Sequence, residues 1–107
     1  MVNRFDVWLT DLNPTEGSES KKTRPCAIVS PDEMIRFLNT VIIVPMTTSF
    51  KAYPSRLPCS FSGKGCELVV DQIRSVDKGR LFRKLGKLDQ QTCVELCELI
   101  QETFSFE

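Results

Sequence analysis

The segment Thr40-Val-Ile-Ile-Val-Pro-Met46 limits the fold more than any other part of the chain. β-Branched side chains lose rotamer freedom in a helix and fit a pleated surface, so the run predicts a strand, and its apolar character predicts one buried on both faces. A strand of that kind needs neighbours on either side. The chain supplies enough residues for them: at 107 residues, with 41% hydrophobic and 26% charged, it is too apolar for a disordered segment and has the size of one domain. A domain of this size buries about 60 to 70% of its extended-chain surface, enough for one core without disulfide or metal staples. Residues 1–107 are therefore read as a single domain.

The other elements are shorter. Phe5–Leu9 is rich in strand formers and gives way to a loop over Asn13–Ser20, which carries Pro14 and Gly17. Arg24–Ser30 predicts a second strand, with Pro25 tolerated near its start. Ser30-Pro31-Asp32-Glu33 has the N-cap, the N1 proline and the capping-box glutamate of a short helix running to about Leu38. Thr40–Met46 then delivers the hydroxyl group Thr47-Thr48-Ser49 at its carboxyl end. Arg56–Phe61 and Glu67–Ile73 read as strands about a turn at Ser62-Gly63-Lys64-Gly65, and Arg80–Leu85 as another. Five or six short strands predict a small β-barrel. After Leu88 the period becomes helical: Cys93, Leu96, Cys97, Ile100 and Phe104 share a face, with Asp89 as N-cap. The class is mainly β with α (α+β), a barrel with a short helix after the second strand and a C-terminal amphipathic helix.

Several functions are excluded by what the chain lacks. No apolar run approaches the roughly 20 residues of a membrane span, and Met1–Asp6 is not followed by a signal-like apolar stretch, so the expected location is the cytoplasm, with no membrane partner. There is no histidine, which removes the Ser-His-Asp triad, a histidine pair for RNA transesterification and histidine zinc sites. The five cysteines, at 26, 59, 66, 93 and 97, form no C-x-x-C pair and read as reduced core thiols; no metal or cofactor is expected. Gly63-Lys64-Gly65 is too short for a phosphate-binding loop and reads as a hairpin turn.

Charge is uneven although it sums to zero, from 14 basic and 14 acidic residues. Residues 72–88 hold six basic side chains (Arg74, Lys78, Arg80, Arg83, Lys84, Lys87) against Asp77, whereas 89–107 holds five acids and no Lys or Arg. Such a stretch either solvates a face or attracts an anionic partner. Two small groups carry possible chemistry. Thr23-Arg24-Pro25 puts a guanidinium at the entry to a strand, paired with a carboxylate or aimed at an anion such as phosphate. Thr47, Thr48 and Ser49, followed by Lys51, either cap a turn or donate to phosphoryl oxygens.

Taken in order, Asp6-Val-Trp-Leu9, Asp11-Leu-Asn-Pro-Thr15, Gly17-Ser-Glu19, Thr23-Arg-Pro25, Val29-Ser-Pro31, Val44-Pro-Met-Thr-Thr48 and Asp71-Gln-Ile-Arg-Ser75 resemble the MazF/PemK toxin family across nearly the whole chain. The resemblance implies a compact SH3-like barrel, also shared with CcdB-like toxins, and a homodimer that cuts single-stranded RNA at short sequences without a metal, restrained by a cognate MazE-like antitoxin. By position it implies Arg24 and Thr47 as catalytic residues. Glu19, Thr48, Lys51, Gln72 and Arg74 match positions that line the RNA groove, and Ser49 joins them as the third hydroxyl. Asp71 matches an aspartate used as a base in the PemK branch, but that branch's histidine and arginine are replaced here by Ser18 and Val69, which favours the Arg24/Thr47 chemistry. The alternative is a CcdB-like toxin that inhibits DNA gyrase by binding and cleaves nothing.

Overall fold

A computed structural model describes residues 1–13 and 23–106. Its strands are β1 (Asp6–Asp11), β2 (Thr23–Ile28), β3 (Thr40–Thr47), β4 (Arg56–Phe61), β5 (Lys64–Val69), β6 (Arg74–Asp77) and β7 (Leu81–Lys87), with helices α1 (Asp32–Phe37) and α2 (Gln90–Thr103). As expected, the apolar run forms the central strand. β3 lies against β2 on one edge, while its other edge serves β6 over Thr40–Ile43 and β5 over Met46 and Thr47. Pro45, which has no N–H for a ladder, falls between those two partners.

The sheet order is β4-β5-β3-β2-β1-β7, all antiparallel, with β6 beside β3. The expected β-rich class with its C-terminal helix is what forms, but the sheet coils without closing, so it is a barrel only loosely: β4 and β7 share no ladder. Irregularities in the β1–β7 register at Val7/Trp8 and Leu9/Thr10 curl the sheet. The two margins meet through side chains instead, at Gly86, where a Cβ would lie 3.0 Å from the Phe61 ring.

Alternation along the strands divides the core between the two faces. Ala27, Val44, Met46 and Leu68 face α2, which contributes Leu96; Cys26, Ile28, Val41 and Ile43 face the other way, under Ile35 of α1. The α2 face departs from the expected one in that Phe104 is exposed at 66%, and Leu99 packs on the core in its place alongside Cys93 and Ile100.

Other boundaries also differ from the sequence reading. The β4–β5 turn is the pair Ser62-Gly63, both with positive φ (52° and 77°), the geometry that fits the twist of a two-residue hairpin. β5 therefore starts at Lys64 rather than Glu67, and Val70–Gln72 is a 3-10 turn instead of a strand end. β6 is a seventh strand, unexpected because Val76 is its single buried residue. Ser30 does not cap α1; its buried hydroxyl accepts the Ile42 N–H at 3.0 Å, and the cap position falls to Pro31 with no side-chain bond.

Asp89 does cap α2, accepting the Thr92 N–H at 2.8 Å. The Thr92 backbone and hydroxyl bonds hold its carboxyl below the usual range. A carboxyl depressed by folding contributes stability above its unfolded pKa and loses it as pH falls through the folded value. Asp89→Ala is expected to lower Tm by several degrees at neutral pH, with the gap to the parent protein closing below pH 3.8, the group's ordinary value. Thermal melts across that interval check it.

Candidate active site

The last pair of the β2–β3 ladder is Cys26 opposite Pro45. Two residues further along the same register stand Arg24 and Thr47, so folding brings a guanidinium and a hydroxyl from distant parts of the chain to one end of two adjacent strands. Both line a cleft of about 340 Å³. Thr48 and Lys64 supply its other polar groups, and Pro25, Met46, Phe61 and Cys66 its apolar ones. Pockets with a few convergent polar groups on apolar walls are the usual form of a ligand site.

Arg24 is half-buried. The ion pairs among the described residues are Arg56–Glu67, Arg80–Asp11, Lys84–Asp6 and Lys87–Asp6, so Arg24 has no carboxylate partner there. Thr47 accepts the Ser49 N–H on its Oγ1 at 3.1 Å, which occupies one lone pair and leaves the hydroxyl proton to be donated elsewhere. Arg74, on β6, stands opposite Ile43 in the middle of β3 and is not part of the cleft lining. Burial raises the Cys26 thiol to about 11, opposed by a hydrogen bond from Thr10 and by the charges of Arg24 and Arg74.

Among the described residues, the remaining expected ones are not part of the cleft lining. Ser49 and Lys51 are exposed on the segment after β3. Asp71 and Gln72 sit on the 3-10 turn before β6, and Asp71 accepts the Ser55 hydroxyl at 3.0 Å. Glu19 and Ser18 lie outside the described residues.

Two features escaped the sequence reading. Lys64, Phe61 and Cys66 enter the cleft from the β4–β5 hairpin, and the signal for Lys64 was the Ser62-Gly63 pair, which marks a tight turn followed at once by a strand. The other is Glu67, opposite Thr47 in the β3–β5 ladder and 2% exposed. Burial raises its carboxyl, but the Lys51 and Ala52 N–H groups and the Arg56 guanidinium outweigh it, holding the group below the usual range.

The basic stretch before α2 is not one solvated face. Lys78 donates to the Ile35 carbonyl at the end of α1, Arg80 to the Asp11 and Asn13 carbonyls, and Lys84 and Lys87 pair with the buried Asp6. Most of its cations hold the fold together.

The family model described as the PemK-like, MazF-like toxin of type II toxin–antitoxin systems matches residues 3–104. The chain belongs to this family. Its relatives include the endoribonuclease MazF9 of Mycobacterium tuberculosis, 32% identical over 94% of each chain, and the endoribonuclease EndoA of Bacillus subtilis, 31% identical over 94% of this chain and 92% of the relative. Among solved structures, a mycobacterial endoribonuclease in complex with its cognate antitoxin superposes with a TM-score of 0.82 at 21% identity, covering all of both chains. MazF from Deinococcus radiodurans superposes with a TM-score of 0.82 at 19% identity over 98% and 97% of the chains. At these identities the structural likeness is one of fold. Nothing in these likenesses supports the gyrase-inhibitor alternative.

Cys59 and Cys66 face each other across β4 and β5, with Sγ atoms 3.0 Å apart. Burial and the Cys66 contact hold the Cys59 thiol well above its ordinary value, and the thiolate is the reactive form. Because their sulfurs already touch, diamide is expected to join these two cysteines, slowly at neutral pH and faster as pH rises; peptide mapping dominated by other pairs would contradict it.

Proposed function

We infer that this chain is an endoribonuclease toxin that cuts single-stranded RNA without a metal, acts as a homodimer in the cytoplasm and is restrained by a cognate MazE-like antitoxin. The observation carrying this reading is the meeting of Arg24 and Thr47 in one cleft, in a chain whose relatives over nearly its full length are named endoribonucleases.

The chemistry follows from the groups available. In metal-free cleavage the 2′-hydroxyl attacks the adjacent phosphorus, its proton is removed, negative charge builds on the phosphorane oxygens, and the 5′-oxygen leaves with a proton. Arg24 is assigned to the phosphorane: its planar fork can donate to two oxygens at once, and it carries no competing carboxylate among the described residues. Thr47 donates a hydrogen bond from its hydroxyl to the same group. A guanidinium with a pKa above about 12 is a charge stabiliser, not a base, at neutral pH.

Thr48, Ser49 and Lys51, together with Asp71, Gln72 and Arg74, are assigned to binding the RNA strand that flanks the cut. Sequence-specific reading of RNA requires unstacked bases bonded along their edges, which suits exposed amide, hydroxyl and guanidinium groups beside a cleft. Glu19 completes the set by resemblance. A homodimer would set two shallow faces side by side as a longer groove.

Incubation of purified protein with a long single-stranded RNA in EDTA, followed by mapping of the ends, tests the reading. Discrete cuts are expected, and intact RNA would overturn it. Arg24→Ala and Thr47→Ala should each slow cleavage by roughly 100- to 1000-fold while the protein stays folded. Lys64→Gln should weaken RNA binding uniformly across sequences and reduce the dependence of log affinity on log salt by about 0.7, the contribution of one single-strand phosphate contact. An unchanged salt slope would remove Lys64 from the RNA path.

A further inference from the structure

The segment after β3 holds three of the residues assigned to RNA, Thr48, Ser49 and Lys51, yet all three are exposed and the segment has no ladder of its own. Exposed chain of that kind ordinarily samples many conformations. Here one buried carboxylate organises it. Glu67 accepts the Lys51 N–H at 3.2 Å on one oxygen and the Ala52 N–H at 3.1 Å on the other. Arg56, 13% exposed, meets the first oxygen at 3.3 Å and with the same nitrogen donates to the Ser49 carbonyl at 3.3 Å. Its guanidinium carbon lies 5.2 Å from the centre of the Tyr53 ring.

The carboxylate thus closes a ring of contacts. It is anchored from below by the β3–β5 ladder, where Glu67 stands opposite Thr47. From there it fixes Ser49 through Arg56 and fixes Lys51 and Ala52 directly. Ala52 has φ 56°, a left-handed conformation unfavourable for a residue with a Cβ, so its backbone bond to Glu67 holds a geometry the isolated segment would not choose. A buried carboxylate could have been replaced by an apolar residue at little cost to stability. What an apolar residue cannot do is accept two loop N–H groups and an arginine at once.

We propose that Glu67, with Arg56, is a positioning residue for RNA cleavage: it does not touch the substrate, but sets Thr48, Ser49 and Lys51 in the one arrangement that engages the strand beside Arg24 and Thr47. This rests on the endoribonuclease reading above. Glu67→Gln keeps the shape but turns an amide N–H₂ toward one of the loop donors, so one backbone N–H loses its acceptor.

A double-mutant cycle separates positioning from simple support of the fold. In the parent protein, Glu67→Gln is expected to lower kcat/KM for a single-stranded RNA by about 10- to 100-fold, the scale of a misplacement near 1 Å. In a Thr48→Ala/Ser49→Ala/Lys51→Ala background, where the side chains it positions are already gone, the same change should cost less than about 3-fold. Equal losses in both backgrounds, or no loss in the parent, would overturn the proposal. Should Glu67→Gln fail to fold, hydrogen exchange on the parent protein still decides: the Lys51 and Ala52 amides should be protected despite their exposed position, and exchange at the rate of free loop amides would refute the staple. That measurement needs no cleavage activity, so it stands apart from whether the chain cuts RNA.

Discussion

Everything in this molecule is arranged around a strand that must serve three partners with two edges. β3 gives one edge to β2 and divides the other between β6 and β5. The division works because the change of partner falls at Val44 and Pro45, and proline has no N–H to leave unpaired. The same division decides where chemistry can occur. With β6 taking the first half of the strand, β5 meets only its last two residues, and the hairpin formed by β4 and β5 is held beside the carboxyl end of β3. Arg24, from the start of β2, reaches that end from the other side. The cleft is a by-product of how a central strand runs out of partners.

Buried charge follows a consistent logic. Asp6 and Glu67 are both withdrawn from water, and neither is left alone: Asp6 accepts the Asn3 N–H and the Trp8 indole N–H and faces Lys84 and Lys87, while Glu67 collects two amides and a guanidinium. Pairs of this kind add little net stability, since desolvation consumes most of the attraction. Their effect is to fix geometry. Asp6 joins the N-terminal segment to β7, and Glu67 joins the segment after β3 to β5. Arg24, by contrast, reaches the cleft without such a partner among the described residues.

Much of this was legible in the sequence where local signals and burial agree. Thr40–Met46, Arg56–Phe61 and the Asp89 cap follow from β-branching, alternation and a short acceptor before a helical period. The readings that differ have identifiable causes. β6 carries one buried residue, so it gives no periodic signal. Ser30 looks like a cap in isolation, but a long-range partner, the Ile42 N–H, takes its hydroxyl. Phe104 continues the helical period past the point where the sheet ends, so nothing remains for it to pack on. The basic stretch reads as a surface because pairing with Asp6 and with distant carbonyls leaves no trace in spacing. Arg24 and Thr47 were named as a pair from the family resemblance, whereas Glu67 was invisible: a lone glutamate in a strand announces nothing until its neighbours are known.

A sheet that coils but stops short of closure keeps two bare margins, and each is a template on which another chain could polymerise. On β4 the margin holds Pro58, which interrupts any added ladder; on β7 it holds Arg83, Lys84 and Lys87, whose like charges resist a second copy of themselves. Of these two strands, β4 lends Phe61 to the cleft and β7 lends it nothing, so the residues that discourage fibril growth stand apart from Arg24 and Thr47. Substitutions that strip cations or proline from these margins would therefore invite aggregation while leaving Arg24 and Thr47 in place.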